Sequence, residues 1–226
     1  METLTPGPTM VEQAYRAILD AICEGRLEPG ERVTQESVAR KLAVSRQPIG
    51  QALMLLKQQR FVVDAGRRGL MVAPLDRDFM RWIYELRLGV EPIAASLAAL
   101  RATAEDIARG EALLAAGQQA IRDGALGALI DADMRFHMHL YETSGNGLFV
   151  DTMGQLWHHL RRVMREVLQH REYRRTIWSE HAHIHRAIAS HDAEGVAALV
   201  RAHLAHAAVN VQVALPPAGL AESPHH

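Results

Sequence analysis

Several things are scarce in this chain of 226 residues. There is one cysteine, Cys23, so a disulfide framework and any Cys-based zinc site are excluded. A single thiol fits a reducing compartment. Aromatic residues make up only 5%, so the core must be built from Ala, Leu, Ile, Val and Met. No window approaches the roughly 18 uninterrupted apolar residues of a membrane span. The N-terminus has no basic start followed by an apolar core, so a cytoplasmic location without a membrane partner is expected. Net charge is −1, which argues against a nucleic-acid partner until the chain is divided. Histidine is missing from the first 136 residues.

Both the charge and the histidines prove to be concentrated. Residues 37–73 hold Arg40, Lys41, Arg46, Lys57, Arg60, Arg67 and Arg68 against Asp64 alone, a net +6. A local basic block on a neutral chain is the footprint of a nucleic-acid module joined to a second domain. A solvated basic face would give the same count. Eleven of the 13 histidines lie from His137 to His206, and His225 and His226 end the chain. Clustered imidazoles are a metal or proton-transfer signal, with exposed histidines on Arg-rich helices as the plain alternative.

Apolar periodicity and breakers give the organisation. A helix is expected from Met10 to Glu24, closed by Gly25. GRLEPGERV reads as a turn. Thr34 caps a second helix, and Ser45 caps a third that carries Pro48 in its first turn. Phe61–Val63 and Leu70–Val72 flank a Gly-containing loop and read as a β-hairpin. Helix, helix, helix and basic-tipped hairpin is the order of a winged helix-turn-helix, expected over residues 8–74. Beyond Pro74 strand signals stop. Six helical segments follow at about 76–100, 103–122, 125–143, 148–169, 172–190 and 193–213. The fold class is therefore mostly α, with an N-terminal winged helix-turn-helix and an all-α six-helix bundle over 76–213. Residues 214–226 read as a disordered tail.

A recognition helix reads base edges with side chains of its first turn. Ser45, Arg46 and Gln47 supply a hydroxyl, a bidentate donor for guanine and an amide for adenine. Arg40 and Lys41 end the preceding helix, near phosphates, and Arg67 and Arg68 lie at the wing tip. In the bundle, Asp133 and His137 are four apart and point the same way, the smallest two-ligand unit a helix offers a divalent metal. His181/His185 is another such pair, and His203 and His206 are three apart. Spacing does not choose among them.

Residues 10–73 resemble the winged-helix domain of the GntR family of bacterial transcriptional regulators. The matching stretches are AILDAICEGRLEPGERV (17–33), VARKLAVSRQPI (38–49), Ala52-Leu53 and GRRGLMV (66–72). Two positions depart from the family pattern. Gly50 stands where Arg is usual, and Ala43 where Gly is frequent. Residues 76–210 are similar to the FCD effector-binding domain of the FadR subfamily, through DMRFH (133–137), SGN (144–146), Glu180-His181 leading into IHRAI (184–188), and RAHL (201–204). Six helices rather than seven place the bundle closer to the VanR-like group.

The resemblance implies metal ligands at Asp133, His137, His181 and His203, for a divalent transition metal, zinc ahead of nickel, manganese or iron. It also implies an effector site. Arg87 would bind a small carboxylate, with Glu91 and Asn146 beside it, although Arg87/Glu91 also has the spacing of a helix-surface ion pair and Asn146 that of an N-cap. The whole would be a homodimer that binds double-stranded DNA at a palindromic operator and answers to a small organic acid. Two rival readings are a metalloenzyme, an oxygenase or hydrolase, and a pure metal-sensing repressor. HExxH, GxSxG and phosphate-loop patterns are absent, and an enzyme leaves the basic block unexplained.

Overall fold

The computed structural model describes residues 7–66 and 69–215. Arg67, Arg68 and the tail from residue 216 lie outside the described residues. The chain divides between Leu75 and Asp76 into two compact units.

In the first unit, local signals start and stop each helix. α1 (Met10–Cys23) opens on a capping box in which Thr9 and Glu12 satisfy each other's backbone N–H. It ends where Gly25 takes φ +73°, a left-handed turn that costs glycine little. A two-residue strand β1 (Arg32–Val33) follows within the segment expected to be only a turn. α2 (Gln35–Leu42) begins with a Thr34/Ser37 capping box. Its C-cap, Ala43, sits at φ 54°, ψ 40°, the left-handed region where an alanine Cβ is strained. Glycine would hold that conformation without the strain. α3 (Arg46–Gln58) starts at Ser45, which has N-cap backbone angles but makes no side-chain cap hydrogen bond. Gly50 of α3 lies under Gln35; a Cβ there would be 3.1 Å from Gln35 Nε2. β2 (Val62–Asp64) and β3 (Leu70–Val72) form the expected antiparallel hairpin, and β1 adds to β3, giving the order β1-β3-β2. Val62 faces Val72, and Val33 faces Leu70. Ile18, Ile49, Leu53, Leu56, Phe61 and Val72 form the core.

The second unit contains α4 (Arg77–Arg101), α5 (Ala104–Asp123), α6 (Leu126–Thr143), α7 (Gly147–Val167), α8 (Arg171–Ala189) and α9 (Ala193–Ala214). The helix count is the expected one. α9 runs to Ala214, one residue past the expected bundle limit, and its C-cap Leu215 is buried. α4 and α9 run antiparallel. Arg77 Nε donates to Gln212 Oε1 at one end (2.6 Å), and Ser96 Oγ to the Ala193 carbonyl at the other (2.7 Å). Ala94, Ala95, Ala98 and Ala99 are all buried along α4, and their small side chains permit a close approach. α5 makes room for α8 with two glycines seven apart. Gly110 lies under His185 and Gly117 under Trp178, where a Cβ would come within 1.8 Å of the indole. Trp178 Nε1 donates to the Leu114 carbonyl (2.8 Å). Arg87 and Glu91 of α4, Asp133 and His137 of α6, His181 of α8 and His203 of α9 are buried in the bundle.

Candidate metal centre and DNA-reading surface

α6 presents Asp133 and His137, one turn apart, to the bundle interior; α8 adds His181 and α9 adds His203. All four are buried. One nitrogen from each imidazole lies within 4.8 Å of the others, and ring centroids are 4.8–5.4 Å apart. Asp133 Oδ1 is 3.5 Å from His181 Nε2. Neither nitrogen of His181 has a hydrogen-bond partner although the residue is fully buried. Buried polar atoms are rarely left unpaired, and such an orphan needs an explanation. Three imidazoles around a common point, with the Asp133 carboxylate beside one of them, fit a borderline divalent metal.

The electrostatics favour metal-ready forms. Burial holds His137 below the ordinary imidazole value and His181 well below it, so both stay neutral with a lone pair available. Burial raises the Asp133 carboxyl, against the pull of His137, His203 and Arg87. A cation bound between these groups would relieve that cost. His203 is held from behind. Its Nδ1–H donates to Glu180 Oε2 (2.7 Å), and His206 donates to the other oxygen, also at 2.7 Å. Burial pushes the Glu180 carboxyl up, but those two hydrogen bonds outweigh it and hold it below the usual range.

Arg87 and Glu91 adjoin this cluster from α4. They form a buried ion pair through Arg87 Nε and Glu91 Oε1, not a surface pair. The guanidinium carbon lies 4.9 Å from the Tyr84 ring centroid and 5.0 Å from that of Trp157. Burial acts to raise Glu91, yet Arg87 and then His137, whose Nδ1 is 3.2 Å from Glu91 Oε2, hold it far below the carboxylate range. Burial likewise acts to lower Arg87, and Glu91 overrides it. The Tyr84 hydroxyl is pushed up to about 12 by burial. Asn146 is the N-cap of α7: its Oδ1 accepts from the Leu148 N–H (3.1 Å). The structure brings Arg87 and Glu91 to the histidines, while Asn146 is engaged in capping.

Three other histidines face elsewhere. A ring nitrogen of His139 lies 2.9 Å from the Asp106 carbonyl oxygen, His185 rests on Gly110, and His183 is exposed. Sequence reading missed Glu180, Tyr84, Tyr141 and Trp157 around the cluster. The adjacency of Glu180 to His181 and the His203/His206 spacing were the available signals, but only packing brings α8 and α9 together.

In the first unit, Arg40, Lys41, Ser45, Arg46 and Gln47 are all exposed around the α2–α3 turn. Because Ser45 makes no cap hydrogen bond, its hydroxyl is not committed to the helix end. Glu36 lies 3.5 Å from Arg40 Nη2 and 3.7 Å from Arg46 Nη2. Lys57 is paired with Asp64 (2.7 Å), the one acid already counted in the +6, so it is Glu36, just outside residues 37–73, that offsets part of that charge.

A three-helix unit with a β-wing, followed by an all-α bundle with a buried histidine cluster, is the architecture of a two-domain DNA-binding regulator. Comparison with known proteins agrees. Residues 10–72 match the bacterial regulatory proteins of the gntR family, and residues 82–206 match the FCD domain. The chain belongs to the GntR family of transcriptional regulators and carries an FCD domain. It is 30% identical to the Nta operon transcriptional regulator of Aminobacter aminovorans, over 78% of this chain and 82% of that one. It is 27% identical to the HTH-type transcriptional regulator YdhC of Bacillus subtilis, over 86% and 87%. The solved structure of E. coli McbR/YncC shares the fold at TM-score 0.78 and 20% identity, covering 90% of this chain and 97% of that one. These are regulators, which sets the metalloenzyme reading aside. No helix among the described residues is long and apolar enough to cross a membrane.

Proposed function

We propose that this regulator is controlled by a small organic acid bound next to a divalent transition metal in the FCD bundle, and that it acts as a cytoplasmic homodimer on a palindromic operator. One observation carries the reading: three buried imidazoles with nitrogens within 4.8 Å of one another, one of them, His181, with no hydrogen-bond partner at either nitrogen. Asp133, His137, His181 and His203 would hold the ion. A bound metal would supply a Lewis-acid anchor for an oxygen of the acid. Arg87 would take the carboxylate, since a guanidinium forks onto two oxygens. Glu91 already occupies part of that guanidinium, so the acid competes with it or uses the N–H groups it leaves. Arg46, Gln47 and Ser45 would read bases, and Arg40 and Lys41 phosphates, with the wing arginines 67 and 68 as further contacts. Acid and operator binding would then be reciprocally coupled.

Elemental analysis of dialysed protein tests the metal. About one ion per chain is expected, and none in the Asp133→Ala/His137→Ala/His181→Ala/His203→Ala variant; an unchanged ratio in the variant overturns the assignment. Mobility shifts on an operator duplex selected from a random library test the effector. Operator affinity untouched by every acid that binds the protein would sink that part.

A further inference from the structure

The exposed end of the histidine cluster holds a group that the ligand set does not include. Glu180 sits on α8 immediately before His181, and its carboxylate spans two imidazoles of α9. Oε2 accepts from His203 Nδ1 and Oε1 from His206 Nδ1, both at 2.7 Å. His203 is 4% exposed, while the His206 side chain is 64% exposed and Glu180 20%. A carboxylate only accepts hydrogen bonds. Each Nδ1 that faces it must therefore carry the hydrogen, and in a neutral imidazole the lone pair is then on Nε2.

We propose that Glu180 is the positioning residue of the metal centre, locking His203 as its Nδ1–H tautomer so that Nε2 is presented as ligand. The inference rests on the metal reading above. Three features of the geometry support it. The contact comes from the helix that carries His181, so one carboxylate ties α8 to α9 next to two of the four ligands. His203 has no freedom to present Nδ1 inward while Glu180 holds that atom. His206, one turn further along α9, takes the second oxygen, which leaves Oε2 to His203. Carboxylates that orient a ligating histidine in this way commonly set metal affinity by about 10- to 100-fold.

The test uses the full chain, freed of metal and titrated with Zn²⁺ against a chromophoric chelator, together with ¹⁵N imidazole NMR of the metal-free protein. In the wild type, His203 is expected as the Nδ1–H tautomer. Glu180→Ala is expected to weaken zinc binding about 10- to 100-fold at unchanged stoichiometry and to shift His203 toward a tautomer mixture. His206→Ala, which leaves the His203 contact in place, is expected within about threefold of wild type, well short of that range. A wild-type His203 protonated at Nε2 overturns the proposal without recourse to any variant, so it stays decidable even if Glu180→Ala fails to fold. Zinc affinity unchanged in folded Glu180→Ala overturns it too, as does a loss in His206→Ala equal to that in Glu180→Ala. Zinc bound by none of the proteins, the wild type included, would sink the metal reading itself and the positioning role with it.

Discussion

Arg87 and Glu91 have the spacing of a surface pair that contributes a few tenths of a kcal/mol, yet neither reaches solvent. Burial changes what the pair does. Removing one partner strands a charge in the interior, which costs about 3–5 kcal/mol. Glu91→Ala should therefore unfold at a markedly lower temperature than wild type. Because the stranded group is a guanidinium, a small carboxylate that reaches it should restore part of the loss. Thermal unfolding of Glu91→Ala with and without millimolar acetate or succinate checks this. Recovery larger than that of wild type is expected. A low unfolding temperature indifferent to every carboxylate would mean that ligands do not reach Arg87, and its effector role would fail.

At the scale of elements, the proposed DNA contacts of α3 and the turn before it separate into base-reading and phosphate positions. Arg46→Ala on a duplex selected from a random library should lose about 1–3 kcal/mol of affinity and relax discrimination at one position. Lys41→Ala should weaken all sequences alike and lower the salt slope by about one ion. Equal, sequence-independent effects of both would remove Arg46 from the reading role. Much of this scaffold was legible beforehand because local chemistry decides it. The Thr34/Ser37 box, Gly25 at positive φ and Pro48 in a first turn act within a few residues. β1 was not legible: two residues carry no alternation, and Arg32–Val33 is a strand only because β3 lies beside it. The site was half legible. Spacing found Asp133/His137 but rated His181/His185 as an equal pair. Packing separates that pair, sending His181 to the cluster and His185 onto Gly110. Glu180 acts across two helices, beyond the reach of any spacing rule.

Over the whole molecule, the net charge of −1 conceals a basic block in one unit and buried titratable groups in the other. The second of these makes stability depend on pH. His137 and His181 are held below the ordinary imidazole value by burial, whereas in the unfolded chain they titrate near 6.5. Below that pH the unfolded chain takes up protons that the folded bundle refuses. Stability is then fully present above about 6.5 and is lost as pH falls, by up to about 1.4 kcal/mol per pH unit for each imidazole. Asp133, raised by burial, works in the opposite sense, with the folded state the better proton binder. Glu91, held low after Arg87 outweighs its burial, adds to the acid loss only below the ordinary carboxylate value. His185, also held low by burial, adds in the same sense, so between pH 7.5 and 5.5 the buried imidazoles should dominate, His137 and His181 foremost. Circular dichroism melts in chelator are expected to show the unfolding temperature falling across that range, and a His137→Asn/His181→Asn variant should flatten the profile. Zinc should steepen it, because protons and metal compete for the same lone pairs. A metal-free profile that is flat, or that rises toward acid, would mean these histidines are not held neutral inside the fold.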